Sequence, residues 1–266
     1  MKLSFWTLGT PDWTNEQVAD AAQRYGFDGV DLRCAVGRNV SVQSTPDELA
    51  ALQELFTSRG VEIASLLAYN ERGNAEGVDW AAVTADLVAN ARLANGMGVG
   101  NLRINATEPA RDSTWEAYLE GFAGAIQKTL AESSDLTLNM QNHPGSLKVA
   151  QVVRLAEMVG DPRFGAGLSP DHCVDMDEEV IEATKLALPH VKQVHLADRE
   201  RTADGKLRAC LPGTGFVPNR EVLDLVRAAG FDGWVSFKWE KPTYQDLPDA
   251  DVALPHFIQF MSAAQS

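Results

Sequence analysis

The sequence is poor in cysteine and in basic residues, and each shortage excludes a class of protein. Only three cysteines occur among 266 residues, at Cys34, Cys173 and Cys210. No CxxC pair is present, so neither a disulfide framework nor a structural zinc site is indicated. Lysine and arginine total 23 against 37 aspartate and glutamate residues, which gives a net charge of −14. We expect no nucleic-acid partner, because phosphate binding requires a basic surface.

Long apolar runs are also missing. No stretch approaches the ~18 consecutive apolar residues of a membrane-spanning helix. The first apolar run is broken by Gly9 and Pro11 before it reaches the length of a signal-peptide core. We therefore expect a cytoplasmic protein without a membrane partner. Nothing in the composition decides whether the chain forms a homo-oligomer, and that question stays open.

What the sequence does contain is a regular alternation of two kinds of segment. Short apolar segments suited to buried strands lie at 3–8, 29–33, 62–69, 101–105, 136–142, 165–168, 191–197 and 234–239. Segments with helical spacing of apolar residues follow them, at 15–25, 46–59, 80–97, 115–133, 147–159, 178–188, 219–229 and 252–264. Strands that are each followed by a helix are typical of a (β/α)8 barrel of roughly 250 residues. The sequence predicts an α/β fold, a single (β/α)8 TIM barrel over residues 1–266.

Local signals agree with these boundaries. Thr14 stands three residues before Gln17, and Thr45 stands three residues before Glu48, which is the spacing of a capping box. The phrases YGFDGV at 25–30 and AGFDGW at 229–234 are nearly the same. Each joins a helix end to the next strand, which supports a repeated βα unit.

In a (β/α)8 barrel the active site is built at the C-terminal ends of the strands. Polar, charged or aromatic residues stand there in this sequence, although a barrel can also simply be capped by such residues. A convergent set is harder to explain as capping, because buried polar groups need partners. The candidates are Trp6, Arg33, Arg103, Gln141, His143, Asp171, His172, His195, Lys238 and Glu240.

Several of these residues stand in recognisable phrases. GFDGVDLR lies near the second strand, QNHPGS follows the fifth, SPDH follows the sixth, VHLAD lies at the seventh and SFKWEK at the eighth. Together they resemble the sugar phosphate isomerase/epimerase family of the xylose isomerase-like TIM-barrel superfamily, over nearly the whole chain. This resemblance implies isomerisation or epimerisation of ketoses and related polyols at a divalent metal.

The resemblance also locates the family's metal ligands, which are typically glutamate, aspartate, histidine and glutamate. In this sequence those places fall at Gln141, Ser169, His195 and Lys238, and only His195 keeps the expected residue type. A lysine ammonium has donors and no acceptor, so it repels a divalent cation. Asp171 would substitute for Ser169 if the strand end shifted in register. We assign no metal ligand, and Mn, Mg, Co or Zn stays an open question with an eroded ligand set.

The same substitutions are compatible with chemistry that needs no metal. A buried Lys238 ammonium can stabilise an enolate oxygen, and His195 or Asp171 can move the proton. The expected substrate is a small polyhydroxy carbonyl compound, a sugar or keto-sugar derivative, and the reaction is isomerisation, epimerisation or the β-elimination of a related lyase. The residues expected to bind this substrate are Gln141, His143, Arg103, His172, Arg33, Glu240 and Trp6.

A second hypothesis keeps the barrel but not the chemistry. In it the chain is a catalytically degenerate barrel that binds a sugar-like ligand or acts as a partner subunit. Lys238 would then be structural, in a salt bridge to Glu240 or Asp171, and Arg33 and Arg103 would pair with Asp31 or with other acids within the barrel. Ion-pair networks perturb charged groups as active sites do, so the sequence leaves both hypotheses open.

Overall fold

Parallel strands close into a barrel surrounded by helices, which confirms the predicted fold class. The computed structural model describes residues 1–74 and 76–264. The barrel strands are β1 (Lys2–Trp6), β2 (Gly29–Cys34), β3 (Glu62–Ala68), β4 (Asn101–Ile104), β5 (Thr137–Gln141), β6 (Phe164–Leu168), β7 (Val191–Leu196) and β10 (Trp234–Phe237). Between β7 and β10 the chain adds an antiparallel hairpin of β8 (Asp198–Arg201) and β9 (Leu207–Cys210). The hairpin was not predicted from the sequence.

The helices lie outside the barrel, in the intervals where the apolar spacing predicted them. They are α1 (Asn15–Tyr25), α2 (Pro46–Thr57), α3 (Trp80–Gly96), α4 (Trp115–Ala131), α5 (Val149–Val159), α6 (Pro170–Asp175), α7 (Val180–Ala187), α8 (Asn219–Ala228) and α9 (Ala250–Ala263). The short helix α6 was not predicted, and it carries two of the candidate site residues. Within residues 1–74 and 76–264, no helix combines the length and the apolar character that crossing a membrane requires.

Helix ends follow the predicted signals. The Thr14 hydroxyl accepts a hydrogen bond from the Gln17 amide, and the Gln17 side chain accepts one from the Thr14 amide. Thr45 and Glu48 make the same reciprocal pair at the start of α2. Each capping box satisfies amides that have no partner inside the helix. Gly26 ends α1 with a φ of 82°, a conformation that glycine adopts without strain.

The barrel interior has an unusual polar layer. Asp31 on β2 accepts hydrogen bonds from the Ser4 hydroxyl at 2.6 Å and from the Gln193 amide at 2.7 Å. Gln193 also donates to Ser236, at 2.7 Å. Burial raises the pKa of Asp31 to about 7, against the lowering effect of these hydrogen bonds. This layer forms the floor beneath the C-terminal ends of the strands.

The loop after β9 is organised by a carboxylate of its own chain. Asp198 accepts hydrogen bonds from the backbone amides of Gly213, Gly215 and Val217 at 2.8, 3.1 and 3.0 Å. A side chain at position 215 would meet the Arg199 carbonyl oxygen at 2.2 Å, so the close approach requires glycine. The Gly-Thr-Gly phrase is therefore a turn around Asp198.

Candidate active site

The candidate residues converge above the polar layer. Trp6, Arg33, Arg103, Gln141, Asp171, His172, His195 and Lys238 are all buried, whereas His143 and Glu240 are partly exposed. The candidates on strands point to the inner side of the barrel, because side chains alternate between the two faces of a strand. Their neighbours in the chain, such as Phe5 and Phe237, point outward and pack against Phe27 and Phe257. The structure thus brings together most of the residues that the sequence singled out.

Lys238 directly follows β10 and is 1% exposed. Its Nζ lies 2.7 Å from Asp171 Oδ2 and 2.6 Å from His172 Nε2, and both partners stand on α6. The sequence left Glu240 and Asp171 open as the ion-pair partner, and the structure selects Asp171. Glu240 would share a face with Lys238 if the strand continued, but β10 ends at Phe237 and the backbone beyond it is no longer a strand.

Asp171 is fully buried between two cations. Its Oδ2 contacts Lys238 Nζ and also lies 2.8 Å from Arg199 Nη2. Burial alone raises the pKa of this carboxyl, but the nearby charges of Lys238 and Arg199 outweigh burial and hold the pKa below its usual range. A carboxylate with a low pKa accepts a proton poorly. The geometry therefore favours a charge-holding role for Asp171 over the proton transfer considered from the sequence.

The tautomer of His172 follows from its two neighbours. Lys238 Nζ can only donate, so His172 Nε2 accepts that hydrogen bond. His172 Nδ1 lies 2.8 Å from the Asn142 carbonyl oxygen, so it carries the proton and donates. Burial lowers the pKa of His172 well below its ordinary value, and the Lys238 charge lowers it further. His172 is a neutral imidazole that orients the lysine.

His195 on β7 has a different environment. It is 0% exposed and its ring meets the edge of Trp6 at a centroid distance of 5.0 Å. Neither of its ring nitrogens has a hydrogen-bond partner in the described residues. Burial, with the charges of Arg103 and Lys238, lowers the pKa of His195 well below its ordinary value. Burial and the two cations oppose protonation of His195, but its neutral imidazole keeps an unpaired lone pair that can accept a hydrogen bond or a proton from a bound substrate.

A chain of hydrogen bonds connects the ends of β4, β5 and β6. The Arg103 guanidinium donates to Gln141 Oε1, with its Nε at 3.0 Å. Gln141 Nε2 in turn donates to the Ser169 hydroxyl at 2.7 Å. Arg103 also lies over the Trp6 ring, 5.2 Å from its centroid. This network fixes the orientation of the Gln141 amide.

His143 lies at the rim. Its Nδ1 is 2.7 Å from the Pro144 carbonyl oxygen, and its ring meets that of His172 edge-on at a centroid distance of 4.6 Å. Burial lowers its pKa, although the hydrogen bond to Pro144 opposes this. Glu240 is close enough to Arg103 and His143 to affect both electrostatically. These two residues are the partly exposed members of the candidate set.

The residues at the family's ligand positions do not fit a divalent cation. Gln141 Oε1 is taken by Arg103, the Ser169 hydroxyl accepts from Gln141, and Lys238 presents an ammonium. A second group, Asp171, His172 and Asp175, has ligand atoms within 4.8 Å of one another. Its donors are already bound to cations, because Arg199 holds both carboxylates and Lys238 holds the imidazole. Asp171 stands on α6, so the proposed shift of a strand end does not bring it into the ligand set.

Arg199 and its partner Asp175 were not among the residues that the sequence singled out. Arg199, on β8, is 2% exposed and binds Asp175 through Nε at 2.9 Å and Nη2 at 2.6 Å. With Asp171 it forms a buried cluster that anchors Lys238. The signal that could have found Arg199 is its place directly after VHLAD, at the mouth of the seventh strand.

Comparisons with known proteins agree with this architecture. The model of one family, described as xylose isomerase-like TIM barrel, matches residues 19–260. The solved structure of the IolI protein with a binding zinc atom has a TM-score of 0.76 at 16% identity, over 100% of this chain and 96% of that one. The 3-keto-D-glucoside 4-epimerase YcjR from E. coli has a TM-score of 0.76 at 10% identity, over 98% and 99%. D-psicose 3-epimerase from Clostridium cellulolyticum H10 has a TM-score of 0.75 at 11% identity, over 100% and 98%.

Identities this low establish a shared fold and nothing more. No curated protein matches the chain by sequence. The family model nevertheless spans most of the barrel, from within α1 to within α9. The chain therefore belongs to the xylose isomerase-like TIM-barrel family.

Proposed function

We propose that this protein is an enzyme that moves a proton next to the carbonyl of a small polyhydroxy compound. The reaction would be an isomerisation, an epimerisation or a related elimination. The observation that carries the proposal is the buried Lys238 ammonium at the C-terminal end of the barrel, held by Asp171 and His172. Two proteins of the same fold are named D-psicose 3-epimerase and 3-keto-D-glucoside 4-epimerase, which supports a sugar-like substrate.

In this mechanism Lys238 is the group that stabilises negative charge. An ammonium has three donors, and Asp171 and His172 use two of them. The third is free to donate to the carbonyl oxygen of the substrate. As the oxygen becomes an enolate, that hydrogen bond strengthens, because the charge develops next to a cation in a buried site. Asp171 and His172 keep the ammonium in place throughout.

His195 is the proton acceptor. It takes the proton from the carbon beside the carbonyl, the electron pair of that bond forms a carbon–carbon double bond, and the carbonyl electrons move to oxygen. Return of the proton to the former carbonyl carbon gives an isomer, provided that the hydroxyl proton of the adjacent carbon passes to the enolate oxygen as the new carbonyl forms. Delivery of a solvent proton to the original carbon from the other face gives an epimer, and His195 then gives its proton to solvent. Loss of a β-hydroxyl as water gives elimination. The low pKa of His195 helps it to release the proton again.

A second candidate function is binding without chemistry. It is favoured by the completeness of the contacts around Lys238, since Asp171, Arg199 and Asp175 already satisfy one another's charges. A barrel of this kind would hold a sugar-like ligand above a purely structural ion cluster. The two candidates differ in one respect, which is whether a substrate proton exchanges with solvent.

The test is exchange of that proton in D2O, followed by NMR with ketoses as probes. We expect deuterium to enter the carbon beside the carbonyl, and Lys238→Met to slow this exchange by about 10²- to 10³-fold, the usual cost of losing a charge-stabilising donor. Lys192→Met, a change at the start of β7 and the other end of the barrel, serves as the matched control and keeps the wild-type rate. Ketose binding with no exchange would overturn catalysis in favour of binding alone.

A further inference from the structure

Two buried arginines at the barrel mouth have no acidic partner. Arg33 at the end of β2 is 6% exposed, and Arg103 on β4 is 5% exposed. Among the residues that the structure describes, no carboxylate lies within 4 Å of either guanidinium. The Arg103 guanidinium contacts the neutral Gln141 amide, and the buried Nε of Arg33 has no hydrogen-bond partner at all in the described chain.

Arg33 is not neutralised by the residue that the sequence suggested. Asp31 lies two residues earlier on the same strand, and both of its oxygens accept hydrogen bonds from the polar layer below, from Ser4 and Gln193. Arg33 lies two residues further along β2, closer to the C-terminal end of the barrel. The predicted Arg33–Asp31 pair is therefore wrong, because Asp31 is hydrogen-bonded within the polar layer below the barrel mouth.

The two arginines face the same space. In the strand register, Arg33 pairs with Leu67 of β3 and Leu67 pairs with Arg103, so both stand in one row of the barrel. Tyr69, two residues beyond Leu67, interacts electrostatically with both guanidinium groups. Tyr69 is 54% exposed, so the row that holds both arginines lies next to the solvent-exposed rim of the barrel.

Arginine remains protonated in proteins, so these two side chains bring buried positive charge. Glu240 acts on Arg103 and Asp12 acts on Arg33 only from a distance, without a direct ion pair. A planar guanidinium is suited to bidentate hydrogen bonds with a carboxylate or phosphate. We propose that Arg33 and Arg103 bind an anionic group of the substrate, a carboxylate or a phosphate ester, opposite the reacting carbonyl at Lys238. This inference rests on the proposed function and narrows its substrate class to acidic sugar derivatives.

Three ketoses that differ only at one carbon test the proposal. D-Fructose is neutral, D-fructuronate carries a carboxylate and D-fructose 6-phosphate carries a phosphate ester. We expect calorimetric titration to show at least one charged ketose binding about tenfold or more tightly than D-fructose, as charge-assisted hydrogen bonds predict. The ketose that is preferred identifies the anion as carboxylate or phosphate.

Arg33→Gln and Arg103→Gln should each remove most of this preference, measured within each variant as the ratio of its affinities for the charged ketose and for D-fructose. Arg92→Gln, at an exposed arginine paired with Glu132, is the matched control and should keep the preference. Equal binding of all three ketoses, or a preference that survives in both variants, would overturn the anion site.

This outcome is separable from that of the proposed function. If the charged ketose is preferred through the arginines but no deuterium exchange occurs, the anion site is supported and the catalytic proposal is wrong. Deuterium exchange on D-fructose without any preference for an anion would do the reverse.

Discussion

The two sides of the barrel mouth both bury cations, but only one side supplies counter-charges. On the side of β7 and β10, Lys238 and Arg199 are enclosed by Asp171 and Asp175, with contacts of 2.6 to 2.8 Å. On the side of β2 and β4, Arg33 and Arg103 have no carboxylate within that range in the described part of the chain. On the paired side the charges balance within the folded chain, whereas on the unpaired side we propose that a ligand supplies the counter-charge.

This difference in counter-charge suggests that the cations on the paired side are held in position by the fold, whereas those on the unpaired side bind a ligand. A paired buried ion is held in one geometry, which suits a group that must meet a carbonyl oxygen accurately. An unpaired buried cation reduces stability and is retained where function needs it. We therefore expect mutations that remove a charge to lower the free energy of unfolding on the paired side and to raise it on the unpaired side.

The largest effect is expected on the paired side, from Asp171→Asn. The change leaves Lys238 buried beside a neutral amide and removes one of the carboxylates that contact Arg199. Breaking a buried ion pair in this way costs about 3–5 kcal/mol. Urea unfolding should show this loss, and Glu240→Gln, at the other partner considered from the sequence, should change the free energy of unfolding little. A loss below about 1 kcal/mol for Asp171→Asn would show that the cluster is not what holds Lys238.

A pH effect of somewhat smaller size is expected from Asp31, which lies below the unpaired side. Its pKa is raised from 3.8 to about 7 on folding, so the folded state binds a proton that the unfolded state has released. Stability from this group is present below pH 4 and is lost as the pH rises toward 7. At about 1.4 kcal/mol per pKa unit, the loss reaches the order of 4 kcal/mol.

Unfolding measured from pH 4 to 7 in the wild type and in Asp31→Asn tests this dependence. The wild type should lose stability relative to the variant across that range. Parallel pH profiles for the two proteins would mean that Asp31 is ionised in the folded barrel and contributes charge to the arginine side.

The smallest of these effects, with the opposite sign, is expected on the unpaired side. Arg33→Met removes an uncompensated buried charge and keeps an apolar stem of similar length, so the free energy of unfolding should rise by about 1 kcal/mol. Arg103→Met should not stabilise, because it leaves the buried Gln141 oxygen without its donor. Thermal unfolding separates the two. Destabilisation by Arg33→Met would place Arg33 among the structural cations.

The sequence was sufficient to predict the barrel because its signals are local. Apolar period, capping boxes such as Thr14 with Gln17, and glycine at helix ends each depend on a few adjacent residues. The strand-end rule then located the mouth and most of its polar residues. The hairpin of β8 and β9 was missed because its short, charged strands lack the apolar alternation that marks a barrel strand.

Which charged residues pair with one another could not be predicted from neighbouring residues in the sequence. Lys238 lies 66 positions from His172 and one further from Asp171, and they meet only because β6 and β10 flank β7 in the closed barrel. Arg199 was missed for the same reason, since its two carboxylate partners precede it on α6. That Arg33 and Arg103 stay unpaired is likewise a property of the assembled mouth.

The central claim is that the Lys238 ammonium stabilises the enolate. Deuterium exchange on a ketose, measured in protein treated with a chelator and checked by elemental analysis, tests it most directly. The account predicts that wild-type exchange persists after chelation and that Lys238→Met loses it by about 10²-fold or more. Exchange that vanishes on chelation, returns with Mn, Co or Zn and survives in Lys238→Met would contradict the account.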